Sequence, residues 1–288
     1  MNVPAFADEA IPTSVIDTSA RGVTPSRRPA ATLQGAATLW FVIAVLGQLL
    51  FAIYVVGFYG RAAIQGHPEI WNKVLTPGYV AGDTAGNLEL AAHLLCAVIV
   101  TLSGALQLVP IVRRRWPRVH RWNGRVFLTC AVVASAAGLL MVWTRPSPGG
   151  DLSQNIGISL SAMLIFLCAG LALRHALARQ FDVHRRWAMR LFLVVNTGWF
   201  FRVGLMLWLI VNRGPVGFDP KTFTGPFLSF LSFADYLLPL AVLELYQRAR
   251  ESGRPVAQFA MAGGIAILAL AMAGGIAAAA GILWLPHL

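Results

Sequence analysis

Two stretches of this chain read as copies of one phrase: VHRWNGRVFL at residues 119–128 and VHRRWAMRLFL at residues 183–193. Each has His, then Arg, then Trp, with an Arg three residues after the Trp, and each runs straight into an apolar segment. That junction of basic, aromatic and apolar residues decides the fold class. Lys and Arg belong at a membrane surface, where their stems lie along apolar matter and their charges reach water. Trp belongs there too, because its ring is apolar while its N–H needs a polar partner.

Working outward, the composition agrees. The 288 residues are 57% hydrophobic and 12% charged, about half the ~25% charged share of a soluble domain. Net charge is +11, but the basic residues sit in short clusters between apolar runs. The bilayer and its anionic headgroups therefore explain them, and nucleic acid does not.

A hydrocarbon core of about 30 Å needs ~20 apolar residues per helix. Seven segments qualify: 36–58, 90–111, 126–144, 156–173, 188–211, 227–246 and 259–285. Lys plus Arg outside them count 3, 2, 6, 1, 5, 2, 3 and 0 in chain order, with Arg190 at the start of the fifth segment counted in the loop before it and Arg202 inside that segment set aside. This alternation predicts seven spans with the N-terminus cytoplasmic and the C-terminus external. The expected fold is an all-α polytopic bundle in the bacterial plasma (inner) membrane. A disordered cytoplasmic tail over residues 1–35 precedes a single transmembrane domain over 36–288.

Trp122 and Trp187 are expected at cytoplasmic ends, and Trp143, Trp208 and Trp284 at external ends. The external loop at residues 60–89 is long enough to fold over the mouth of the bundle, though nothing in it identifies a role. Cys96, Cys130 and Cys168 all fall in apolar runs, without metal or c-type haem spacing, and read as small hydrophobes. No hydrolase, nucleotide-binding or metalloprotease motif is present, and no metal site is expected. Whether the chain is an enzyme is left open.

Ionisable groups within a span are costly and each is a candidate functional position. Arg202 and Asp235 lie at similar depth on adjacent antiparallel spans, so an ion pair between them is predicted. His93 lies one turn beyond Glu89 on the second span, and Gln107 continues its polar stripe. Glu244 lies near the inner end of the sixth span, at the level of Arg190. These six, His93, Glu89, Gln107, Arg202, Asp235 and Glu244, are the expected cavity or ion-pair residues.

His120, His175 and His184 gather at the cytoplasmic level on three successive spans. Two facing histidines would serve haem b, with Arg121, Arg125, Arg185 and Arg190 suited to its propionates. The alternative is that these residues only anchor headgroups. MAGGIA occurs twice, at residues 261–266 and 272–277, and its 11-residue spacing returns to nearly the same helix face. That stripe of small residues admits a close helix neighbour, including a second copy of the chain.

The chain resembles the predicted bacterial membrane proteins of domain of unknown function family 2306. The resemblance rests on His93, on HRWxGR (His120, Arg121, Trp122, Gly124, Arg125), on HRRW with a following Arg (His184, Arg185, Arg186, Trp187, Arg190), and on Arg202. It covers about residues 90–208 and departs from the family at Ala188, which separates Trp187 from Met189. It implies a four-helix core over about residues 90–211, with the sixth and seventh spans added at 227–285. The core reads as a parallel repeat of two hairpins, each carrying the phrase.

Two functions follow. One is a transporter or accessory protein that handles a small ligand or protons through a polar intramembrane cavity. The other is a haem b or quinone-linked electron carrier.

Overall fold

The computed structural model describes residues 27–74, 78–145 and 150–288. Ten α-helices form among them. α1 (Arg27–Tyr54) continues through a π-type turn, Val55–Gly60, into the short α2 (Arg61–Ile64). α3 (Thr84–Leu108) is followed by the short α4 (Pro110–Arg115) and by α5 (Pro117–Thr144). α6 (Leu152–Leu177), α7 (Phe181–Val195) and α8 (Thr197–Asn212) come next. α9 (Pro226–Ser252) and α10 (Pro255–Ala279) complete the bundle.

Six helical segments are long and apolar enough to cross a membrane, and α7 with α8 makes a seventh that is bent by 52°. The seven predicted spans thus all have helices, and the fifth is broken.

Local chemistry sets the helix ends. Asp83 and Asp151 cap α3 and α6 by accepting from the amides of Gly86 and Gln154 at 2.9 Å. Proline opens α4, α5, α9 and α10, at the position where a missing N–H costs nothing. Gly253 ends α9 in the left-handed region, with φ 63°.

Inside α9, Pro239 has no N–H to give, so the carbonyl four residues earlier, that of Asp235, loses its helical donor. The fifth span breaks at Asn196, whose side-chain amide donates back to the Phe192 carbonyl at 2.7 Å. Asn competes for backbone partners in this way, and here the competition falls where the helix bends.

The bundle is built from neighbouring pairs. α3 packs along α5, α6 along α7, and α1 along α10, while α9 bridges α6 and α8. In lipid there is no hydrophobic drive between helices, so close backbone approach does the work. A Cβ at Gly275 would lie 2.5 Å from the Val203 carbonyl oxygen of α8. One at Gly157 would lie 2.8 Å from the Ser232 carbonyl of α9. The small-residue stripe of α10 is therefore used inside the chain, through Gly275, whereas Gly263 and Gly264 face open space.

Two boundaries differ from the sequence reading. Helix begins at Arg27, not near residue 36, because Leu33 is buried against Ala249, Ala262 and Ile265 and gains from helical order. The expected tail ran over residues 1–35; residues 27–35 are helix, and residues 1–26 lie outside the described residues. Trp284 does not reach an interface: it is fully buried beside Phe51, with ring centroids 5.6 Å apart. The loop after α2 packs onto that same core, where Trp71 donates to the Tyr59 carbonyl at 3.0 Å.

Candidate functional site

A cavity of about 430 Å³ lies between α1, α3, α7, α8, α9 and α10, with lining residues on both sides of the break in the fifth span. Its wall is mostly apolar, and Asp235 is the one carboxylic acid in it. Asp235 is 9% exposed, and its Oδ1 has no hydrogen-bond partner. The Thr197 hydroxyl, at the first residue of α8, bears on the carboxyl. Pro239 lines the same cavity, and its missing N–H denies the Asp235 carbonyl the usual helical donor. A buried charge without a counter-ion is expensive, which means this carboxyl calls for a proton or a cation.

The predicted Arg202–Asp235 ion pair does not form. Arg202 donates to the Gly198 carbonyl at 2.7 Å, and its guanidinium lies 5.5 Å from the ring centroid of Phe51 on α1. The residues of α8 that line the Asp235 cavity are Phe200, Val203, Gly204 and Leu207. Arg202 sits on another face of α8, since successive residues turn by about 100°. The sequence reading compared positions along the two helices and had no measure of the direction each side chain takes around them.

Around Arg202 the structure gathers a second polar centre. Its charge reaches Tyr54 on α1 and His93 on α3. Elsewhere in the core, both amide atoms of Gln48 and the indole nitrogens of Trp199 and Trp284 are buried without partners. His93 Nδ1 lies 2.8 Å from the Ala134 carbonyl. A carbonyl only accepts, so Nδ1 carries the hydrogen and Nε2 is left as the acceptor of the neutral ring.

Glu89 is not part of that centre. It lines a separate pocket of about 380 Å³ with Asp83 and Arg145. Arg145, counted in the sequence only as a loop charge, is buried there and donates to Asn87 at 3.1 Å. No spacing in the sequence distinguishes it from an ordinary loop arginine. Gln107 is structural, its amide donating to the His120 carbonyl at 2.9 Å.

At the arginine-rich end, both copies of the phrase place Arg over Trp. Arg125 lies 4.9 Å from the Trp122 ring centroid and Arg190 lies 4.7 Å from that of Trp187. Arg190 also pairs with Glu244 at 2.7 Å, while Arg121 and Arg185 are exposed.

The three histidines are held differently. His184 Nδ1 donates to the Ala172 carbonyl at 2.8 Å, and His175 Nδ1 meets Gln180 Oε1 at 2.6 Å. His120 Nδ1 is buried with no partner, and its ring feels the charges of Arg113, His184 and Arg121. Among the described residues no group of three or more His, Cys, Asp or Glu side chains is placed to hold a metal ion.

Comparison with known proteins agrees with the family resemblance. The model of a family described as predicted membrane protein (DUF2306) matches residues 90–223, the two hairpins and the loop that follows them. No curated protein and no solved structure matches the chain.

Proposed function

We propose that this multi-pass membrane protein handles a small ligand, together with protons, at the Asp235 cavity, as a transporter or as an accessory to one. The reading is carried by one observation: an unpartnered, buried carboxyl oxygen on the wall of a 430 Å³ cavity. A broken helix beside a buried polar group is how many transporters build a binding site within the bilayer. The α7–α8 break supplies that feature, and Thr197 at the break touches the acid.

The membrane is the bacterial plasma membrane, with the N-terminus cytoplasmic and the C-terminus external, on the strength of the Lys and Arg alternation. The arginines at the end bearing the two phrases contact anionic headgroups. Self-association through Gly263 and Gly264 of α10 is consistent with their open faces.

Infrared spectroscopy of the purified protein tests the central claim. The C=O stretch of a protonated, membrane-embedded carboxyl is expected to titrate with pH and to be missing in Asp235→Asn. Spectra of the two proteins that coincide at every pH overturn the reading.

A second reading, haem b held near His120 and His184, is favoured by a separate observation. His184 is fixed through Nδ1 with Nε2 free, the pattern of a histidine ligand, and the neighbouring His120 ring has a buried nitrogen without a partner. Arg121 and Arg125 lie on the same turns as His120 and would serve the propionates. The test is an absorption spectrum. A Soret band that disappears in His120→Ala or His184→Ala supports haem, and a colourless protein made with ample haem rules it out.

A further inference from the structure

We propose that the ligand of the Asp235 cavity is a lipophilic organic cation, which binds in exchange for the proton on the carboxyl. This rests on the cavity reading above and adds the chemical class of the ligand.

The polar inventory of the cavity is one-sided. Asp235 offers an unpartnered Oδ1 and a backbone carbonyl that Pro239 cannot satisfy. As carboxylate and carbonyl both accept, and the donors among the lining side chains, the Tyr246 hydroxyl and the Trp40 indole N–H, carry no positive charge. No Lys, Arg or His lines the cavity, so an anionic ligand would meet a carboxyl with no compensating charge. A cation meets the one group that needs it.

The walls point the same way. Trp40, Phe41, Phe192, Phe200, Phe230 and Tyr246 all line the cavity, and aromatic faces attract cations, more strongly when water is excluded. Met189 and Met272 add polarisable, adaptable surface. The volume falls within the ~300–1,000 Å³ of sites that hold drug-sized molecules. Phe230 and Leu238 are 65% and 56% exposed on the surface that lipid would cover. The cavity therefore opens sideways, where a hydrophobic cation partitioned into the bilayer would arrive.

The other titratable groups on the surrounding helices leave Asp235 available. Arg202 of α8 is bonded to Gly198, and Arg190 of α7 is paired with Glu244 of α9. Tyr236 and Tyr246 are the phenols of α9 in this region, and Cys168 of α6 lies in the adjoining core. The stretches of α1, α3 and α10 that line the cavity contribute no titratable side chain. In the exchange the carboxyl releases its proton to solvent and the resulting carboxylate balances the bound cation.

The test uses the full chain in lipid nanodiscs, with empty nanodiscs as the partition control. The probes are tetraphenylphosphonium and the neutral triphenylphosphine oxide, followed by calorimetry in two buffers of different ionisation enthalpy. The expected result is saturable binding of the cation with proton release, weakened at least ~10-fold in Asp235→Asn. Asp235→Glu is expected to keep the preference for the cation, and Trp40→Leu to weaken the cation more than the neutral probe. Those two variants retain the test where Asp235→Asn does not fold.

Equal binding of both probes, unchanged in Asp235→Asn, leaves the cavity standing and overturns the cation. Binding of neither probe above the empty nanodiscs overturns the cation and the ligand-binding cavity together.

Discussion

The two copies of the basic-aromatic phrase start alike and end differently. In both, an arginine covers the tryptophan one turn earlier. In the first copy His120 Nδ1 has no partner, Asn123 donates to the Ser103 carbonyl, and α5 runs unbroken for 28 residues. In the second copy His184 donates to Ala172, Arg190 pairs with Glu244, Arg186 pairs with Glu251, and α7 stops after 15 residues. The second phrase is tied to α9 and the first is not. A broken span lacks the continuous backbone bonding that aligns an unbroken one, so its halves depend on their neighbours. In the second hairpin the phrase is a fastening for the helix beside the cavity.

Six substitutions would break or sharpen this contrast. Gly275→Leu removes the seat of α8 on α10, which only the broken span needs. Overpacking against a backbone carbonyl at 2.5 Å is expected to cost about 3 kcal/mol, read as a fall in thermal unfolding temperature in detergent. Glu244→Gln unties the second phrase from α9. The pair is partly exposed, so a loss of about 1 kcal/mol is expected, and Glu251→Gln, farther out, should lose less. If Glu244→Gln changes nothing, the fastening role is wrong.

The histidines separate the copies next. His184→Phe deletes a hydrogen bond and should cost about 1 kcal/mol, whereas His120→Phe deletes a buried nitrogen with no partner and should be neutral or slightly stabilising. Equal losses at both positions would mean that His120 has a ligand of its own. The smallest effect is expected at Gly124, where an added Cβ meets only the Gln107 amide at 3.4 Å. Gly124→Ala should stabilise α5 by about 0.5 kcal/mol through helix propensity.

Much of this was legible in advance, and for identifiable reasons. Hydropathy located all seven spans because a segment that crosses lipid must satisfy its backbone internally and cover it with apolar side chains. The break at Asn196 was less visible: the span reads as one apolar run through VVNTGWFF, and a single Asn within it does not by itself mark a bend. DYLLP at residues 235–239 held a usable signal, an acid four residues before a proline, which places carboxyl and undonated carbonyl on one residue. The closeness of Arg190 and Glu244 was also readable from depth, and the pair forms.

Arg202 and Asp235 show where such reading stops. Their positions along the helix axes follow from the sequence, because each residue adds a fixed rise of about 1.5 Å. Their directions around those axes do not, since rotation of a helix is settled by the neighbours it packs against. Gly275 fits the Val203 carbonyl and turns one face of α8 toward α10. That rotation sends Arg202 toward Phe51 and leaves Asp235 facing a cavity. Sequence alone determined that this chain is a bundle of membrane-spanning helices with its charges sorted by level. Tertiary packing alone decided that Arg202 turns toward Phe51 while Asp235 faces the cavity.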